Sequence, residues 1–245
     1  MRTSPRITCV FAILAVLLCA CSSGQQETIE TTPPASMQRV ATDSTEGGAL
    51  SVRGEVWADN WFAFYVGERL IIEDSTPITT ERSFNAETFV FDAEYPLQLN
   101  FVAKDYKEND TGLEYIGSGR QQMGDGGLVA QFTDSATGET IAMTDSSWRC
   151  LVIHAAPLNP DCANESGPVA GVGPCQFHAM DEPEAWRTVG FDDGDWPPAV
   201  EYSEGDVRPK GGYDQIAWKD EARLIWTAEL EKDNTLLCRL TVERP

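Results

Sequence analysis

The chain has 245 residues, with 18 Lys or Arg against 39 Asp or Glu, a formal charge of −21 and 42% hydrophobic content. That charge excludes phosphate-neutralising binding to DNA or RNA and electrostatic adsorption to anionic lipid, because both need clustered cations. The apolar content excludes a wholly disordered chain, and the length fits one domain with a small attachment.

In chain order, Arg2 and Arg6 precede Cys9–Leu18, an apolar run of ten residues. A bilayer span needs about 20, so the run suits the h-region of a signal peptide, and residues 1–20 read as one. Its end, Leu18-Cys19-Ala20-Cys21, resembles the bacterial lipobox, with Leu three positions and a small residue one position before the lipid-bearing cysteine. The resemblance implies lipidation at Cys21 and the lipid bilayer as a partner, and Ser22 beside it favours the outer membrane or cell surface. The alternative is an ordinary secretory signal with incidental cysteines. Residues 21–48 are rich in Thr, Ser, Gln, Glu and Pro without apolar periodicity, as in a flexible tether. Removing the signal takes two arginines and no acid, so the exported part is more acidic still.

Residues 49–245 carry a β pattern. Val56–Val66 is aromatic and β-branched, and Gly67-Glu68 then turns it into Leu70–Ile72 as a hairpin. Thr88–Phe91 reads as a short strand. Tyr95–Ala103 sets Leu97, Leu99 and Phe101 against Gln98, Asn100 and Val102, the alternation of a half-buried strand. Leu128–Phe132 and Thr140–Met143 flank turn residues, and Trp148–His154, Leu224–Trp226 and Thr235–Val242 complete the set. Glu182–Arg187 reads as one helical turn. Short strands between Gly, Pro and Asp punctuation predict an all-β sandwich or jelly roll, with long loops at Asp105–Gly127 and Pro157–Glu182.

Outside the signal and Cys21, the cysteines are Cys150, Cys162, Cys175 and Cys238. An even number in an exported chain suggests disulfides, with three possible pairings. Cys162 and Cys175 bracket a Pro/Gly/Ala-rich loop and are the expected local pair, leaving Cys150 with Cys238. Four reduced, buried thiols are the alternative. A zinc site lacks its spacing, since no CxxC occurs and His154 and His178 are not placed as ligands.

Ala58-Asp59-Asn60-Trp61-Phe62-Ala63-Phe64-Tyr65-Val66 resembles the A-D-N-x-f-x-x-Y-V-N-G strand of galactose-binding-domain-like jelly rolls. Thr144-Asp145-Ser146-Ser147-Trp148 resembles their T-D-x-s-W strand. Trp186, Phe191-Asp192-Asp193 and Trp196-Pro197 with Ala199 resemble their W-x4-F-D-D-s-x-W-x-x-A segment. The likeness covers roughly residues 50 to 230. The family's Asn-Gly turn is replaced by Gly67-Glu68, and Asp105–Gly127 is longer than the family pattern. The resemblance implies a jelly roll of the kind that accompanies glycan-active proteins. It also implies that Asp59, Asn60, Trp148, Trp186, Asp192, Asp193 and Trp196 are mainly structural. Asp59-Asn60 fits an Asx turn, or a neighbour of the structural calcium some members hold. Trp186 and Trp196 fit the core better than an exposed sugar platform.

The binding-site candidate is the Asp105–Gly127 loop. Asp110, Glu114, Tyr115, Arg120, Gln121, Gln122 and Asp125 give it an aromatic face, donors and acceptors on a glycine-permissive backbone; a solvated surface loop is the alternative. No catalytic residue is assigned: Ser146-Ser147 lie in no nucleophile-elbow context, and 39 acids make carboxylate pairs uninformative. No cofactor other than the implied calcium is expected. The expected function is a membrane-anchored, exported binding module for carbohydrate at the cell envelope. The alternatives are an assembly lipoprotein that contacts an envelope protein, and an envelope hydrolase.

Overall fold

The computed structural model describes residues 38–39 and 50–245. The expected signal peptide, Cys21 and nearly all of the expected tether lie outside the described residues. The strands are β1 (Gln38–Arg39), β2 (Leu50–Asp59), β3 (Trp61–Val66), β4 (Arg69–Glu73) and β5 (Asn85–Ala93). There follow β6 (Leu97–Lys104), β7 (Leu113–Glu114), β8 (Gln122–Met123), β9 (Gly127–Asp134) and β10 (Thr140–Met143). The last are β11 (Arg149–Ala155), β12 (His178–Ala179), β13 (Val200–Tyr202), β14 (Leu224–Trp226) and β15 (Asp233–Val242).

These strands build an all-β sandwich. One sheet runs β1-β5-β2-β9-β14-β13, with β10 also on β9, and is antiparallel apart from the β1–β5 pair. The other runs β12-β11-β15-β6-β3-β4 and is antiparallel throughout. Between them lies a core of Val52, Val56, Phe62, Phe64, Phe89, Phe91, Phe101, Phe132 and Trp148, in which Phe64 and Phe101 of the second sheet meet Phe89, Phe91 and Phe132 of the first in tilted, edge-to-face and stacked pairs.

Each sheet also has its outer face partly covered. Val207, Tyr213 and Trp218 pack over Trp57 and Val129 on the first. Trp186 and Trp196 pack over Ala63, Val102 and Leu237 on the second. This second cover corrects the half-buried reading of Tyr95–Ala103, because Gln98, Asn100 and Val102 are buried as well. The polar pair is satisfied there. Asn100 Nδ2 donates to the carbonyls of Gly67 and Arg187, and Gln98 accepts from Thr241.

Two further expectations change. Val56–Val66 is not one strand, because the chain passes from the first sheet to the second at Asp59-Asn60; the β3–β4 hairpin at Gly67-Glu68 is as expected. Residues 182–187 form no helix, and among the described residues the single α turn is α1 (Glu204–Val207). Ser203 closes it with a reciprocal capping box to Asp206.

Both expected disulfides are present. Cys150–Cys238 joins directly opposed residues of β11 and β15, and Cys162–Cys175 staples the Pro157–Glu182 loop. Two disulfides are the mark of an extracytoplasmic protein. Among the described residues no helix is long and apolar enough to cross a membrane.

Candidate functional site

β2 and β6 end, and β5 and β9 begin, at the same end of the sandwich, so their connecting loops gather there. Asn60 ties these loops together. Its Nδ2 donates to Glu81 O at 3.1 Å, and its Oδ1 accepts from Tyr106 N at 2.6 Å. These partners lie 21 and 46 residues away, so Asn60 works as a loop cross-link and not as a local Asx turn. On the opposite side, Trp57 Nε1 donates to Gly211 O at 3.0 Å, which holds the 208–211 segment against the first sheet. Gly212, at φ 92°, completes this close approach, since a Cβ there would lie 2.7 Å from Ala86 N.

The loops enclose a cleft of about 530 Å³. Glu81, Arg82 and Phe84 form one wall. Glu114, Tyr115 and Gln122, from the β7–β8 ribbon, form a second, and Asp125, Arg208 and Lys210 a third. Of the candidate loop residues, Glu114, Tyr115, Gln122 and Asp125 come together here. Arg120 stacks on the Tyr115 ring at 4.2 Å but does not line the cleft. Gln121 instead anchors the loop, its amide donating to Ala163 O and Glu165 O. Asp110 faces away, 2.6 Å from Lys107 Nζ and 3.2 Å from His154 Nε2. Tyr115 has φ 52°, a left-handed conformation that costs a non-glycine residue energy and concentrates at ligand sites.

Beside the cleft is an acidic group. Glu114 is pushed up to about 7, first by burial, against the relief of the Gln122 amide, with Asp125 and Glu81 adding to the shift. Asp59 is raised by burial and then by Asp125, and Asp105 by burial and then by Asp59 and Glu114. Asp59 Oδ2 and both Asp105 oxygens meet no hydrogen-bond geometry, although the Asn234 amide is near enough to ease the Asp105 charge. Gly124 permits this packing, because a Cβ there would lie 2.3 Å from Asp105 Oδ2.

The implied calcium does not fit. Both functional ends of Asn60 are occupied, and among the described residues no three His, Cys, Asp or Glu converge in a way that could hold a metal ion.

These carboxyls make stability pH-dependent. A carboxyl whose folded pKa lies above its unfolded value binds more protons when folded. Its favourable contribution is complete below the unfolded value and is lost as pH rises through the folded one. With Asp74 at about 6 and Glu114 at about 7, stability falls as pH climbs from about 4 through about 7. His154, lowered mainly by burial, opposes the trend below about 6.5. Thermal melts from pH 4.5 to 8 should show a falling Tm, and Asp105→Asn should flatten the slope and raise Tm at pH 8. A flat wild-type profile would reject the buried acid group as its source.

The other marked residues lie away from the cleft and pack or bond within the fold. Trp148 is buried and donates to Met143 O at 2.8 Å. Trp186 and Trp196 are buried with ring centroids 6.1 Å apart. Asp192 accepts from Gly194 N, and Asp193 pairs with the buried Arg239. Sequence reasoning missed Glu81, Arg82, Phe84, Arg208 and Lys210, which come from segments that carry no motif and meet only in the fold. No family model, curated protein or solved structure matches the chain.

Proposed function

We propose that the chain is an exported, lipid-anchored binding module of galactose-binding-domain-like type, and that it holds carbohydrate in the cleft at the end of the sandwich. The observation that carries this reading is the convergence of Tyr115 and Phe84 with Glu114, Gln122 and Asp125 in one concavity. Sugars are recognised by this combination, an aromatic face for the ring's C–H side and planar polar groups for its hydroxyls. The order of the three sequence segments and the β-sandwich support the family likeness, and the lipobox with the two disulfides supports the envelope location.

Affinity electrophoresis of the purified protein through gels containing polysaccharides tests the reading. Retardation is expected on at least one, and Tyr115→Ala should weaken it about tenfold, the equivalent of ~1.4 kcal/mol. Absence of retardation on every polysaccharide would end the carbohydrate reading.

A second reading, an envelope hydrolase, is favoured by one observation: Glu114, at about 7, holds a proton near neutral pH beside Asp125 in the same cleft. It predicts release of reducing ends from a retained polysaccharide, abolished in Glu114→Gln while retention persists. Retention without release assigns binding alone.

A further inference from the structure

Arg82, Arg208 and Lys210 all line one cleft of a chain whose formal charge is −21. None of the three forms a hydrogen-bonded ion pair, although Arg82 also reaches the Tyr115 hydroxyl. Arg82 comes no closer than 3.9 Å to Glu81, Arg208 no closer than 4.0 Å to Asp125, and the two side chains are 77% and 74% exposed. Lys210 Nζ lies 4.9 Å over the Phe84 ring, and no carboxylate among the described residues pairs with it. Four cations elsewhere do form hydrogen-bonded ion pairs: Arg53 with Glu55, Lys107 with Asp110, Arg187 with Glu182 and Lys232 with Glu229 stand at 2.6–2.7 Å. The cleft therefore gathers three cationic side chains, none of which has a hydrogen-bonded carboxylate partner.

We infer that the cleft recognises an anionic sugar, with the acidic substituent, carboxylate or sulfate, held by Arg208, Lys210 and Arg82 while Tyr115 takes the ring. The inference rests on the carbohydrate reading and narrows it. Arginine and lysine donors suit both substituents, the guanidinium by a two-pronged contact and the ammonium as a point charge. The acidic neighbours do not cancel this. Asp59 and Asp105 are buried behind the cleft and raised above the usual carboxylate range by that burial, and Glu114 is pushed up to about 7, which weakens the negative charge they set against the three cations. The strongly negative remainder of the chain repels polyanions at large, so retention on one requires a local site.

The test uses the purified protein in gels containing polygalacturonate, a sulfated galactan or a neutral galactan, at fixed ionic strength. Retention on one or both acidic polymers is expected, with none on the neutral one, and the two acidic arms separate carboxylate from sulfate recognition. Arg208→Gln with Lys210→Gln should cut that retention at least tenfold at unchanged Tm, as both side chains are exposed. Equal retention on the neutral galactan would overturn the inference and leave the carbohydrate reading standing. Acidic-polymer retention unaffected by the double substitution would overturn the assignment of the cleft cations. Retention on no polymer would overturn both.

Discussion

Replacing Asp193 by alanine should lower Tm by about 6–12 °C. Arg239 is 1% exposed on the outer face of β15, beneath the segment that carries Trp186 and Trp196. Its guanidinium donates to the carbonyls of Thr188 and Phe191 and pairs with Asp193, so one buried cation holds the covering segment at three points. Breaking a buried pair by deleting one partner costs about 3–5 kcal/mol, because the remaining charge stays desolvated. Asp193 keeps 30% of its side chain in solvent, which argues for the lower end, about 3 kcal/mol, at about 2–4 °C per kcal/mol for a domain of this size. Asp192→Ala is the control. That neighbour only caps Gly194 N, and its loss should cost about 1 kcal/mol or less. Asp193→Ala/Arg239→Met should recover part of the stability, since removing both charges removes the desolvation cost. Equal, small effects of the Asp192 and Asp193 substitutions in calorimetry would show that the ion pair does not secure this face.

The strands were legible where local chemistry decides them. β9, β10 and β14 are β-branched or aromatic runs between turn residues, and both disulfides followed from an exported chain with one obvious local pair. Legibility failed where a partner distant in sequence decides. Nothing local marks Asp59-Asn60 as the crossing between sheets, because the apolar pattern continues on either side. What holds the chain there is the bonding of Asn60 to residues 81 and 106. Gln98 and Asn100 look solvent-facing by period alone and are buried because a remote segment supplies their partners. The candidate loop was legible as a composition of polar and aromatic groups on a glycine-rich backbone. The sequence could not say which of those groups line the cleft. Gln121 and Asp110 differ from Gln122 and Asp125 only in what the fold places beside them. The cleft cations were invisible because 82, 208 and 210 share no local pattern.

The two disulfides should separate stability from binding. Cys150–Cys238 closes 88 residues between two central strands, and the loop-entropy relation assigns such a closure about 4–5 kcal/mol. Cys162–Cys175 closes only 13, for about 3 kcal/mol by the same relation. The shorter bridge, however, packs against Leu113, Ile116 and Met123, under the ribbon that presents Glu114 and Tyr115. The Gln121 amide fastens the same ribbon to Ala163 and Glu165 of the stapled segment. Cys150→Ala/Cys238→Ala should therefore take the larger toll on Tm, about 9–18 °C, with ligand retention intact well below the melt. Cys162→Ala/Cys175→Ala should lose less Tm but weaken retention several-fold, because the wall of the cleft loses its backing and must be ordered at the moment of binding. Melting curves and affinity electrophoresis on the two double variants decide the matter. If the short bridge proves neutral for binding, the Pro157–Glu182 loop is not a support of the cleft, and the ribbon holds its shape through its own hydrogen bonds.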